Sequence, residues 1–199
     1  MFDQIESRSS LITETQKVYR DLLYVFSNPG RVRALNTEYY DNDDSLKSIG
    51  TSMLLSQTLL DQEVSYYVHD HSELKKAISE TTYAKHTPVK EAQYLFFYEN
   101  YEIDLNSLER ELNVGTLASP ETSSTLIIRV DGYDKTRYRL TGPGINKEIF
   151  MAITGLNEKW MEVRERINKE FPLGIDFIFY TEEGEICALP RTTTITKMR

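Results

Sequence analysis

The residues able to do chemistry are few, and each admits a plainer reading. His69-Asp70-His71 has the two-residue spacing that would set both imidazoles on one face of a strand and offer a metal two ligands. The plainer reading, which we favour, is a solvated strand end running into a helix at Ser72. Cys187, the single cysteine, lies among Ile186, Ala188 and Leu189, where a thiol packs as a small hydrophobe and makes a poor nucleophile. Thr141-Gly142-Pro143-Gly144-Ile145 makes a tight turn whose amides can face an anion, with Arg129, Lys135, Arg137, Arg139 and Lys147 nearby in sequence. It lacks the Lys-Ser/Thr of a P-loop and the full three-glycine dinucleotide fingerprint, and Gly-Pro-Gly is also a common strand end. Pro190-Arg191-Thr192-Thr193-Thr194 sets an arginine beside hydroxyls, a set suited to phosphate or phosphonate oxygens; proline and threonine also suit an edge strand. Asp176 stands between Ile175 and Phe177, and a carboxylate entering a core strand needs a partner, so it is a candidate buried polar anchor.

Positioning these groups requires a core, and 199 residues suit one domain, 1–199, with roughly the first twelve residues expected to be flexible. Composition is that of a soluble globular chain: 40% hydrophobic, 11% aromatic and 27% charged. The net charge of −8, from 23 basic and 31 acidic residues, repels a nucleic-acid backbone. Acids at Asp3 and Glu6 stand where a secretory signal carries bases, and no apolar run approaches a membrane span, so a cytoplasmic protein is expected. With one cysteine the chain alone builds neither an iron–sulfur cluster nor an ordinary structural zinc site.

Helical spacing follows a capping-box pattern at Thr13 and Gln16, through Val18, Leu22, Leu23 and Phe26, until Asn28-Pro29-Gly30 stops it. The acidic run 41–44 precedes a second helix with Leu46, Ile49, Met53, Leu54 and Leu60 on one side. Strands are expected over 64–68, 94–98, 125–130 and 137–140, with Gly132 turning the chain, and shorter helices from Ser72 and Asp104. Leu156, Trp160, Val163 and Ile167 mark the stripe of what reads as the longest helix, with Arg164 among the charges on its outer face. A hairpin closes the pattern around Glu182-Glu183-Gly184-Glu185. Interleaved helices and strands with hairpins in the second half point to an α/β fold, a three-layer αβα sandwich with a mixed sheet.

Six blocks together resemble one family. They are Tyr19-Arg20-x-Leu22-Leu23 leading to Ser27-x-Pro29-Gly30; Leu59-Leu60-Asp61-x-Glu63-Val64; Gly115-Thr116 with Pro120-Glu121 before Thr125-Leu126; Leu140-Thr141-Gly142-Pro143-Gly144-Ile145; Phe171-Pro172-Leu173-Gly174-Ile175-Asp176; and Leu189-Pro190-Arg191-Thr192-Thr193. In this order they resemble the H subunit of bacterial carbon–phosphorus lyase, a phosphonate-metabolism family. Tyr19 departs from the phenylalanine expected there, and 99–113 matches nothing in particular. The resemblance implies a fold similar to the large domain of pyridoxal-phosphate-dependent transferases, a homodimer in isolation, and a place in a core complex with G, I and J subunits. It implies an accessory part, beside the catalytic I subunit, in joining a phosphonate to the ribose of ATP with loss of adenine, giving ribose 1-phosphonate 5-triphosphate.

The residues limit that expectation. None of the eleven lysines falls inside the six blocks, so no Schiff-base lysine is marked and no pyridoxal cofactor is expected. No Ser-His-Asp or Cys-His order makes an independent hydrolase. We therefore expect no catalytic, cofactor-binding or metal residue in this chain, any synthase activity belonging to the assembly. Candidate anion contacts, for ATP or a phosphonate, are Gly142, Gly144, Arg191 and Thr192. Two rivals are a stand-alone phosphate- or phosphonate-binding enzyme and an anion-sensing dimer.

Overall fold

Strand segments 94–97 and 176–180 are apolar at nearly every position, the pattern of strands covered on both faces. The computed structural model describes residues 2–38, 40 and 47–198, with side chains for all of these except 2–10, 47, 135 and 136. The acidic run 41–44 and Leu46 lie outside the described residues. The helices are Phe2–Ser27 (α1), Gly50–Leu59 (α2), Ser72–Thr82 (α3), Leu105–Glu111 (α4) and Lys159–Ile167 (α5). The strands are Arg33–Ala34 (β1), Ser65–His69 (β2), Lys85–His86 (β3), Tyr94–Phe97 (β4), Thr125–Arg129 (β5), Gly132–Thr141 (β6), Ile149–Thr154 (β7), Asp176–Tyr180 (β8), Glu185–Leu189 (β9) and Thr194–Lys197 (β10).

A seven-stranded mixed sheet runs in the order β1-β9-β8-β5-β4-β2-β3, parallel from β8 to β3 and antiparallel at β9. Alternation along each strand sends its side chains to two cores. Tyr66, Phe96, Ile127, Ile178 and Ala188 face a layer of α1, α2 and α3; Phe97, Leu126, Ile128, Phe177 and Leu189 face the other side. On that other side α4 and α5 share the layer with a three-stranded antiparallel sheet, β10-β6-β7. The mixed α/β architecture is as expected, but a second sheet fills part of one helical layer.

Four local expectations are corrected. The first helix begins near Phe2 rather than Thr13, and the Thr15 hydroxyl donates back to Leu11 and Ile12 carbonyls, as threonine does inside a helix. Val18, Leu22 and Val25 are its buried stripe. Gly132 opens a ten-residue strand instead of turning the chain; its register against β7 shifts between Asp134 and Tyr138, a bulge that breaks the alternation the eye follows. β7 was not expected at all. The stripe through Trp160 and Val163 belongs to a nine-residue helix, far shorter than the 26-residue α1, and Arg164 is buried rather than outward.

Stretch 99–113, which resembled nothing, acts as a clamp. The Asn100 amide donates to the Arg129 and Gly155 carbonyls, each at 2.9 Å, and the Trp160 indole donates to the Asn100 carbonyl. Asp104 caps α4 by accepting from the amides of Asn106 and Ser107.

Candidate functional site

Most of the blocks singled out in the sequence meet at one end of the large sheet, where the parallel strands begin. Asp61 accepts the Glu63 amide in the turn before β2, Ser123 and Ser124 precede β5, Asp176 opens β8, and Pro190 follows the antiparallel β9. Asp176 and Arg191 form the centre of this end. The Arg191 backbone amide donates to Asp176 Oδ1 at 2.6 Å, and its Nε and Nη2 donate to the same carboxylate, the latter at 2.5 Å. Its Nη1 donates to the carbonyls of Pro120 (2.9 Å) and Pro172 (3.3 Å), and Nη2 also reaches Ser123 Oγ. A guanidinium has five N–H groups, and here all are engaged within the protein. In this arrangement Arg191 fastens the 120s loop, the 171–176 connection and the end of β9 together.

The glycine turn lies beside it. Gly142 has φ +132°, and a Cβ there would lie 2.9 Å from the Thr192 carbonyl oxygen; Gly144 has φ +79°, and a Cβ would strike the Ser27 carbonyl oxygen. Close backbone approach on two sides, to the exit of α1 and to Thr192, explains both glycines. Of the bases near the turn in sequence, Arg137 pairs with Glu158, Arg139 with Glu148 at 3.6 Å and Arg129 with Glu182 at 3.0 Å, the last at the opposite end of the sheet.

Between this turn, α5 and the segment after β9 opens a cleft of about 550 Å³, lined by Pro143, Arg164, Asn168, Lys169, Thr192 and Thr193 among others. Asn168, just past α5, holds its far wall: its amide donates to the Ile175 carbonyl at 3.0 Å and its carbonyl accepts the Ile175 amide at 2.8 Å. Arg164, 2% exposed, donates from Nη1 to the Thr193 carbonyl at 3.2 Å and from Nη2 to that of Pro190. Burial pushes its pKa down to about 10, partly opposed by the charge of Asp176. Sequence reasoning missed Arg164. It stands four residues after Trp160 and three before Ile167, so the helical spacing of the apolar stripe itself pointed inward at that position.

A larger hollow of about 830 Å³ opens between the 30–32 segment, β6 and β7. Its lining includes Asp134, Glu148 and Glu185 against one arginine, Arg31, and none of the candidate anion contacts.

The histidine pair does not form. His69 ends β2 against Phe97, whereas His71 caps α3, its Nδ1 accepting the Leu74 amide at 3.0 Å while the ring packs on Tyr98 at 4.4 Å. Among the described residues no group of three His, Cys, Asp or Glu side chains is placed to hold a metal. Burial pushes the Cys187 thiol up to about 12, so it stays protonated and unreactive at neutral pH. No helix among the described residues is long and apolar enough to cross a membrane.

Known proteins resemble this chain over almost all of its length. HtxG of Stutzerimonas stutzeri, which bears the name of a C-P lyase subunit protein, is 30% identical over 181 residues, 90% of this chain and 85% of that one. The protein named alpha-D-ribose 1-methylphosphonate 5-triphosphate synthase subunit PhnH in Rhizobium meliloti (strain 1021) is 27% identical over 191 residues, 94% of this chain and 92% of that one. The family model described as bacterial phosphonate metabolism protein (PhnH) matches residues 8–196. With a match of that extent, the chain belongs to the PhnH family of bacterial phosphonate metabolism proteins.

Proposed function

We propose that this protein is an accessory subunit of a carbon–phosphorus lyase core assembly. It works beside G, I and J subunits and supports formation of ribose 1-phosphonate 5-triphosphate from ATP and an alkylphosphonate. The observation that carries this reading is likeness across nearly the whole chain to two proteins that are both named as subunits. The side chains agree with a helper's part: the single thiol is buried and held protonated, His71 serves as a helix cap, and His69 and His86 pack against aromatic rings. An outward stripe of Ile12, Tyr19 and Leu23 on α1, at spacings of seven and four, leaves apolar surface of the kind that subunit contacts cover.

In this reading the chain is a single cytoplasmic domain of the pyridoxal-transferase-like type, a homodimer when isolated, and the cleft beside Gly142, Gly144 and Thr192 is where ATP or phosphonate oxygens approach. Arg191, which also lines the cleft, braces that wall through its pair with Asp176. Co-expression with the other core subunits, and purification through a tag on one of those, tests the proposal. Recovery of this chain in stoichiometric yield is expected; its absence from an otherwise intact assembly overturns the reading.

A further inference from the structure

An arginine buried without a counter-ion is an incomplete arrangement, because the charge has lost its water and gained only neutral partners. Arg164 is in that state. Its guanidinium meets two carbonyl oxygens and the Phe177 ring at 6.0 Å, and among the described residues no carboxylate pairs with it. Asp176, whose charge it feels, is committed to Arg191. Arg164 Nε and Thr193 Oγ1 are both buried and have no hydrogen-bond partner among the described residues. Both residues line the 550 Å³ cleft, with Arg191, already paired to Asp176, and with Lys169, which no acid pairs among the described residues; Glu165 is the acid of the lining. Burial holding the Arg164 pKa near 10 is the electrostatic counterpart of the same deficit.

We propose that this cleft binds a tetrahedral phosphorus oxyanion, with Arg164 as the buried cation that receives it, Thr192 and Thr193 as hydroxyl partners and Lys169 at the mouth. The choice of phosphorus over other oxyanions rests on the accessory-subunit reading above; the choice of Arg164 does not. Arg191, with all five N–H groups spent internally, is excluded as the ligand's cation and remains a positioning residue. The planar guanidinium matches the spacing of two oxygens on one phosphorus, and hydroxyls supply neutral donors around it. At about 550 Å³ the cleft leaves room for whatever substituent the phosphorus carries.

Titration calorimetry and 31P NMR on the full chain, with methylphosphonate, inorganic phosphate and ATP as probes and acetate as control, test the site. Saturable binding of at least one phosphorus probe, and none of acetate, is expected. Tightest binding of methylphosphonate marks the phosphonate as ligand, and tightest binding of ATP marks the triphosphate. Arg164→Gln should weaken binding about tenfold or more, the effect of one charged hydrogen bond, and Lys169→Ala about threefold. Arg164→Gln also removes bonds to two backbone carbonyls, so Thr193→Val, which keeps its shape, serves as the second arm and should weaken binding several-fold with circular dichroism unchanged. No saturable binding by the wild type, or unchanged affinity in both Lys169→Ala and Thr193→Val, overturns the proposal. The co-purification described above separates the two ideas: assembly without anion binding sinks the site alone, and anion binding without assembly sinks the subunit reading alone.

Discussion

Asp176→Ala is the perturbation that most directly tests how the candidate region is held. The carboxylate accepts from three nitrogens of Arg191, and both side chains are 16% exposed. Removing one member of a buried charged pair typically costs about 3 to 5 kcal/mol, because the survivor is left desolvated and unpaired. The slight exposure and the three remaining acceptors around Arg191 favour the lower end, about 3 kcal/mol. In a domain of this size that lowers Tm by about 6 to 12 °C. Urea unfolding followed through the buried Trp160 measures it. Arg191→Met should cost a similar amount, and the double variant well under the sum, with a coupling of about 2 kcal/mol. Single variants within 1 kcal/mol of wild type, or effects that add within about 0.5 kcal/mol, would refute the anchoring role and return Arg191 to the list of ligand contacts.

Other consequences follow from the same geometry. Gly144→Ala meets both a positive φ and the Ser27 carbonyl oxygen, and should destabilise by about 2 kcal/mol or more in urea unfolding; Gly132→Ala, at ordinary φ with only Thr154 Oγ1 nearby at 3.3 Å, should cost less. Cys187 should resist an aromatic disulfide reagent at pH 8 in the native protein and react fully once unfolded, since its thiol is buried with a pKa of about 12. Burial, then the 2.5 Å bond to Glu182, pushes the Tyr98 phenol up to about 12 from the ordinary value near 10. The folded state thus holds that proton more tightly, so the stabilisation is intact below pH 10 and is lost as pH rises from 10 to 12. Tyr98→Phe should make the alkaline decline in stability shallower over that window, as read by denaturation at stepped pH.

Much of this region was written in residue types, and its meaning was not. The turn at Gly142 to Gly144, the Arg191 segment and Asp176 stand out in a linear reading because glycine, arginine and a core carboxylate are each unusual where they occur. Strands β2, β4, β5, β8 and β9 were likewise readable, since period-two or fully apolar runs reflect one-sided or two-sided cover. The second half of β6 was readable too, at 137–140; its first half was not, because a bulge between Asp134 and Tyr138 interrupts the alternation that announces a strand, and β7 went unread.

Local chemistry therefore determined the alternation of helices and strands, the apolar segments that make two cores, and the set of polar residues with unusual demands. Which polar group meets which was decided only by the folded chain. Asp176 and Arg191 are 15 residues apart and Arg191 and Pro120 are 71, yet they share one network, while Arg164, apparently one charge among several on a helix, ends beneath the 190–193 segment. Pairing of that kind depends on sheet order and on which helix face is covered, and a periodicity read along one segment carries no information about the segment packed against it.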